Sequence, residues 1–448
     1  MKIAIIGAGI SGLTCARLLN EEHDIQVFES NHRIGGHTAT VDVVYAGKTW
    51  HIDTGFIVYN DWTYPNFIKL LDQLGVESLP TEMSFSVKSM RSGLEYAGTN
   101  LNTLFAQRRN LLHPRFWKML YDIVRFNRQA IRDLDAGRID NLQTLGDYLR
   151  RHDYSDMFIN HYLVPMGSAI WSSSVQAMQD FPLLFFVRFF KNHGLLNIWR
   201  RPRWRVIRGG SRCYLEPLSA PFADRIQTGA KIRAVHRHAG SVGLELQDGT
   251  RHYFDQLVFA CHSDQALRLL GDEASSAEQA VLGAIPYRNN DVVLHTDTSV
   301  LPENRRAWAS WNYHQSSDVS APPSLSYNMN ILQHLNGGTT FIVTLNASHL
   351  VQREKVLARF EYAHPVFTAA GTRAQNRWQD INGVQRTWFC GAYWRNGFHE
   401  DGCTSGIRVA RALSGKEKAL SEEQFSINEI NSQRDTDFGD KDKTLKVS

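Results

Sequence analysis

Three groups of residues in this 448-residue chain have types and spacings suited to chemistry. The first is Gly7-x-Gly9-x-x-Gly12, with Ser11 inside it, within KIAIIGAGISGLTCARLL at residues 2–19. Gly7 suits a tight turn, Gly9 a close approach of backbone to pyrophosphate, and Gly12 close packing of helix on strand. The helix start that follows would offer free N–H groups and partial positive charge to phosphates. The second is Glu29, followed by Ser30, at the end of the run Asp24-Ile25-Gln26-Val27-Phe28. An acid at that distance from the glycines accepts hydrogen bonds from a ribose diol. The third lies near the other end, GAYWRNGFHEDGCTSG at Gly391–Gly406. His399 in it has a pKa range suited to acid–base work. The same His399-Glu400-Asp401 run also suits a helix cap, where acids are favoured electrostatically.

Strand, glycines, helix, strand and acid in that order predict a dinucleotide site, with NAD and FAD both open. The stretch Asn31-His32-Arg33-Ile34-Gly35-Gly36-His37-Thr38 resembles the R-x-G-G-[RH] extension of the amine-oxidase and phytoene-desaturase group of flavoproteins. That resemblance implies FAD, with a second backbone loop (Gly35, Gly36, His37) and Arg33 closing over its diphosphate. His51-Ile52-Asp53-Thr54-Gly55-Phe56 resembles the D-x-G segment that passes beneath the flavin in the same group. Further segments are similar to the FAD-containing N-terminal domain of plant cyclopropane fatty acid synthases and related bacterial flavoproteins. They include Thr63-Tyr64-Pro65-Asn66, Met83–Val87, Tyr162–Pro165 with Ile170-Trp171-Ser172, Trp308 with Trp311-Asn312, and Gly397–Gly402, colinear to about residue 412. The resemblance implies an association with modified lipid acyl chains and makes Trp171, Trp308, Trp311 and Asn312 pocket candidates. No second glycine motif offers the methyltransferase half of the plant proteins.

In amine oxidases a lysine of the substrate domain sits by the flavin N5 and two aromatic rings frame the amine. Tyr393, Trp394 and Phe398 are candidates for such a frame, with Tyr393 a catalytic candidate beside His399; the competing reading is plain core. The sheet strands after residue 286 carry no lysine, and Lys355 is expected in a surface helix.

The elements that would position these residues come in three instalments, 1–75, 205–285 and 375–415, read together as one discontinuous FAD-binding domain. In the second, Ile226–Ile232 reads as a strand whose backbone, at Ile232, meets the adenine. A hairpin follows at Val242–Leu246 and Arg251–Phe254 around Asp248-Gly249, and then a buried strand, 255–261, containing Ala260. In the third, a strand from Thr387 reaches Gly391, and a helix from about Thr404 is expected to aim its N-terminus, near Gly402, at the flavin ring. Gly402 and Gly406 would admit that close approach. Residues 76–204, read as mainly helical, and 286–374, read as strand-rich, form an inserted substrate domain. The fold class is therefore α/β, a Rossmann-like FAD-binding domain of the GR2 type with an inserted α+β substrate domain. The polar segment 416–448 reads as a disordered tail.

An apolar fraction of 43% and a charged fraction of 21% are those of a globular protein. The net charge of +4 and the absence of a binding motif argue against nucleic acid. Five scattered cysteines exclude a zinc ribbon or a disulfide framework and suit a reducing compartment. The eighteen histidines show no metal-ligand spacing, so no metal is expected. No stretch approaches the ~20 apolar residues of a membrane span, and the N-terminus runs into a strand without a leader. These features suggest a cytoplasmic protein. Phe181–Arg212, rich in phenylalanine and arginine and free of acids, suits peripheral contact with anionic lipid at the inner membrane face; the helix around Arg108 to Arg125 could extend that patch. The competing reading makes its phenylalanines core. Three functions follow: removal of a hydride equivalent from a hydrophobic or lipid acyl substrate, oxidation of a small amine, or a flavin-bearing partner of a separate lipid methyltransferase.

Overall fold

A computed structural model describes residues 1–140, 142–171, 173–316 and 324–415. The expected tail, 416–448, lies outside the described residues. Five parallel strands form one sheet in the order Ile226–Gln227, Asp24–Phe28, Lys2–Ile6, Gln256–Phe259 and Thr387–Phe389. Ile5 pairs with Val27 on one side and Val258 on the other. The central strands are apolar almost throughout because both of their faces are covered. Sequence positions 2–28, 226–259 and 387–389 thus meet in one sheet.

The run 226–232 is not one strand. Ile226–Gln227 pairs with Asp24–Phe28, then Gly229, at φ +68°, turns the chain, and Ile232–Arg237 opens a separate antiparallel sheet with Val242–Leu246 and Arg251–Phe254. Gly229 supplies the left-handed conformation that separates the two strands.

A seven-stranded sheet runs in the order Val356–Pro365, Tyr287–His295, Ile342–Leu345, Ser324–Asn328, Trp311–Gln315, Phe85–Ser89 and Glu95–Ala97. Two of its strands come from the block read as mainly helical. Its ten-residue edge strand begins immediately after Lys355, which closes a short 3-10 turn, Arg353–Lys355, rather than a surface helix. The remainder of 101–192 is helical, led by Pro114–Asp135 and Leu183–Asn192, around a second core that includes Phe116, Phe126, Phe158, Phe186 and Phe190. In the segment for which lipid contact and core were both open readings, Phe181, Phe186, Phe189 and Phe190 are therefore core residues.

The last helix spans His399–Leu413, so it begins five residues before the expected Thr404. Its start is set by Phe398 and Asp401, whose carboxylate accepts the Phe398 N–H at 2.9 Å.

Candidate active site

The first strand ends at Ile6, and the helix Ile10–Leu19 starts four residues later, after the turn at Gly7. The turn is tight because no side chain fits at two of its glycines. A β-carbon on Gly7 would stand 2.8 Å from the Ala260 carbonyl oxygen, and one on Gly12 only 2.0 Å from that of Gly7. Gly9 is different: a β-carbon there meets nothing within 4 Å. The helix it precedes has no side-chain cap and no acid in its first turn. Its leading N–H groups thus face a space that the chain itself does not fill, which is the arrangement that receives a phosphate.

Glu29 ends the second strand and is nearly buried. Its carboxylate accepts the N–H groups of Ala8 and Asn31, both at 2.9 Å, so it is fixed against the glycine turn. Ser30 is exposed, 3.4 Å from the same carboxylate. The loop after it folds back onto the turn: Gly35 N–H donates to Ala8 at 2.7 Å, and Gly9 and Gly35 form a parallel bridge. Gly36, at φ +58°, leaves its would-be β-carbon 3.2 Å from Gly9 Cα. Arg33 spans the loop by donating to the Thr38 carbonyl at 3.0 Å.

The final helix packs across the first. A β-carbon on Gly402 would stand 2.8 Å from Ile10 Cγ2 and 3.0 Å from Ser11 Oγ. Gly402 and Gly406 therefore admit close helix-on-helix contact. Residues 402–406 thus meet the helix that follows the glycine turn.

A model of the family of flavin containing amine oxidoreductases matches residues 10–345. The chain belongs to that family. It is one of FAD-dependent oxidoreductases, and FAD is the cofactor it implies. The AofH protein of Mycobacterium tuberculosis, provisionally named a flavin-containing monoamine oxidase, is 24% identical over 265 residues, 56% of this chain and 54% of that protein. The chain thus spans about half the length of this relative. A shorter match, 37% identical over 78 residues, is to the zeta-carotene desaturase of Solanum lycopersicum, covering 17% of this chain and 13% of the desaturase. Among solved structures, cyclohexylamine oxidase from Brevibacterium oxydans aligns with a TM-score of 0.65 at 15% identity, over 93% of this chain and 99% of that one. A CLA-producing fatty acid isomerase from P. acnes aligns at 0.63 and 15%, over 91% and 98%. Both likenesses show the shared fold. FAD fits the residues of this family member: the open side of Gly9, the uncapped helix start and the fixed Glu29 are what its diphosphate and ribose require.

Other expected residues have different tasks in this family member. Asp53 is fully buried, and its oxygens accept Thr40 Oγ1 at 2.6 Å, Ser211 N–H at 2.9 Å and Gln333 Nε2 at 3.1 Å. It ties the segment after Arg208 to the hairpin at 40–53, and burial raises its pKa to about 6. Thr54 donates to the Ala39 carbonyl and lies 2.9 Å from the Tyr362 hydroxyl. Gly55 is required because a β-carbon would strike the His37 carbonyl at 2.2 Å. Phe56 stacks on His399, ring centroids 3.7 Å apart and planes 8° from parallel.

The His399-Glu400-Asp401 run divides three ways. Asp401 caps its own helix. Glu400 caps another, accepting the N–H groups of Asn66 and Phe67 at 3.1 and 2.8 Å at the start of Pro65–Gln73. Thr404 completes that contact, donating to Glu400 at 3.0 Å and accepting from Asn66, so its hydroxyl is turned toward the start of helix Pro65–Gln73. His399 Nε2 lies 2.7 Å from the Tyr214 hydroxyl, which is 2.5 Å from Thr38 Oγ1. Burial lowers the His399 pKa to about 3, so the ring is neutral and is held by Phe56, Tyr214 and Thr38.

Of the other candidates, Ala260 packs against Gly7 and Gly12, and Ile232 lies in the antiparallel sheet. Gly391 N–H donates to Ser405 at 3.0 Å, with the Tyr393 ring where a side chain on Gly391 would go. Tyr393 and Trp394 are core residues. Asn312 is consumed by Ser86, Ala309 and Ser326, and Trp171 is packed among Phe181, Phe186 and Phe189. Phe398 stands apart, packing against both main cores.

A cluster that no sequence spacing announces lies where the second loop meets the seven-stranded sheet. The His37 ring is 5.3 Å from His364, 5.4 Å from Tyr362 and 5.8 Å from His262. Asn290, fully buried, donates to His364 Nδ1 at 2.8 Å and is itself held by Asn346. Burial lowers all three histidines, His262 to about 4 and His364 to about 3, so all are neutral near pH 7. Among the described residues no His, Cys, Asp or Glu group could hold a metal ion. No described helix is long and apolar enough to cross a membrane.

Proposed function

We propose that the protein is an FAD-dependent oxidoreductase that removes a hydride equivalent from a hydrophobic substrate, a lipid acyl chain or its modified form. When bound, FAD supplies the two-electron acceptor. The chain's own residues bind and orient. Gly9, Ser11 and the first helix start receive the diphosphate, Glu29 the ribose, and Arg33 with Gly35 and Gly36 close the loop. His37, His262 and His364 are neutral rings that could orient a substrate by hydrogen bonding where this loop meets the substrate-side sheet.

The observation that carries the hydrophobic reading is the position of Phe398. It stacks on Phe189 at 5.4 Å and lies 5.6 Å from His193, joining the last helix to the aromatic helical core. Phe185 stacks on Phe367 at 5.4 Å nearby in the same core. An aromatic wall of this kind suits an acyl chain better than a small charged amine. Two similar proteins are named for a carotene and for a fatty acid product. The resemblance to the flavin domain of cyclopropane fatty acid synthases favours the same class and supports a separate lipid methyltransferase as partner.

Oxidation of a small amine is the weaker reading. The sheet strands after residue 286 carry no lysine, and Lys355 is engaged with Asp297 at 3.2 Å. Anaerobic titration of the holoprotein with acyl lipids and with simple amines separates the two. Bleaching of the flavin bands by a lipid alone supports the proposal, and bleaching by amines alone overturns it.

A further inference from the structure

We infer that the tip formed by Leu101–Leu112 and the first two turns of helix Pro114–Asp135 is a docking face for an anionic phospholipid surface. Between Glu95 and Asp122 the chain contains no acidic residue, whereas Arg108, Arg109, Arg115 and Lys118 are basic. All four are exposed. Interleaved with them are Leu101, Leu112, Trp117 and Tyr121, exposed by 74%, 89%, 50% and 61%. Phe181, Phe186, Phe189 and Phe190 are buried and cannot present themselves to a bilayer, which leaves this tip as a larger cluster of exposed apolar and basic side chains than the short, mostly exposed run 198–203.

The tip is built rather than loose. Trp117 Nε1 donates to the Leu111 carbonyl at 2.9 Å, and its ring lies 5.3 Å from Phe105. Arg108 donates to the Phe105 carbonyl at 2.8 Å and Arg109 to that of Gly93 at 2.9 Å. These partners fix the arginines without neutralising them. Among the described residues neither Arg108, Arg109 nor Arg115 has an ion-pair partner; Lys118 reaches Asp122 at 3.2 Å, a carboxylate it shares with Arg125.

Uncompensated positive charge around protruding leucines and a half-exposed tryptophan matches the headgroup and upper acyl layers of an anionic bilayer. Leucines exposed by 74% and 89% beside arginines without an ion-pair partner among the described residues suit a fluid anionic interface, whereas an acidic protein partner would need a shaped counterpart. The inference is compatible with a lipid acyl substrate but does not depend on it, since binding is read without turnover.

The test is co-sedimentation of the full chain with vesicles of phosphatidylcholine alone and of phosphatidylcholine and phosphatidylglycerol in equal parts. Binding is expected to the anionic vesicles only and to weaken with salt. Combined Arg109→Gln and Arg115→Gln should lower the partition coefficient about fivefold per residue. Leu101→Ser with Leu112→Ser should abolish binding, while Trp199→Ser, at an exposed tryptophan elsewhere, should leave it intact. These leucines are exposed, so circular dichroism and melting should be unchanged. No binding to anionic vesicles, or binding lost through Trp199→Ser and kept in the double leucine variant, overturns the proposal. Capture of an acidic protein without vesicle binding overturns it too.

Discussion

A β-carbon at Gly406 would stand 2.4 Å from the backbone carbonyl oxygen of Ser11. The last helix and the first are therefore in backbone contact across almost the whole length of the chain, and the first helix carries the phosphate-facing turn. Gly406→Ala must push the two helices apart, because the obstacle is main chain. We expect at least a tenfold loss of FAD affinity, read by absorbance titration of apoprotein, together with a lower melting temperature. An unchanged affinity would dissociate the helix contact from the cofactor site.

Gly9 and Gly12 should respond in opposite ways. Gly12→Ala meets the Gly7 carbonyl at 2.0 Å and should fail to fold or melt far below the parent. Gly9→Ala meets nothing in the chain and keeps an ordinary φ of −79°. Its apoprotein should melt within a degree or two of the parent, yet its FAD binding should be largely lost. Normal FAD content in Gly9→Ala protein would refute the assignment of that space to the diphosphate.

Glu400→Ala leaves the N–H groups of Asn66 and Phe67 unpaired at a helix start. Each such buried donor costs about 1–3 kcal/mol, so denaturant unfolding should register a loss of about 2–4 kcal/mol. Glu400→Gln, which keeps an acceptor oxygen, should recover part of it.

The two histidine sites make different demands. His364→Asn should slow flavin reduction by about 10²-fold if its neutral imidazole orients the substrate, with FAD affinity and melting close to the parent. His399→Gln should lower the melting temperature, because it breaks the stack on Phe56 and the contact with Tyr214, and should slow reduction much less. Stopped-flow reduction paired with calorimetry distinguishes these outcomes; the reverse pattern would make His399 rather than His364 the positioning group.

Stability should fall as the medium is acidified from pH 7. Burial depresses His193, His262, His295 and His314 to about 4, and His364 and His399 to about 3, from an ordinary 6.5. Between 6.5 and those values the unfolded chain binds more protons than the folded one, so acid favours unfolding throughout that window. Asp53, Asp401 and Glu400 oppose this, since burial raises the two aspartates from 3.8 to about 6 and 7 and raises Glu400 as well, and the folded state takes up their protons first. The six histidines outnumber the three carboxyls, so the melting temperature should drop between pH 7 and 4. Asp401→Asn removes part of the opposition and should steepen that drop. A melting temperature that rises on acidification would contradict the buried, neutral state of these rings.

The sequence by itself determined the dinucleotide turn, the acid at Glu29, the hairpin around Asp248-Gly249 and the joining of three distant segments in one sheet. Each of these is a local pattern in which residue type dictates backbone geometry: a glycine where no side chain fits, or an apolar run where both faces are covered. The tertiary structure alone decided what polar side chains do. Asp53 and Thr404 look like cofactor residues in one dimension, yet their oxygens accept hydrogen bonds from segments far away in the sequence. The meeting of His37, His262, His364 and Asn290 was equally invisible, because they come from four segments and their spacing carries no period. The Gly402–Gly406 pair was legible as a close approach, but only packing could reveal that its neighbour is another helix. Hydrogen-bond partners and burial are properties of the assembled neighbourhood, whereas glycine turns and apolar strands are properties of the chain.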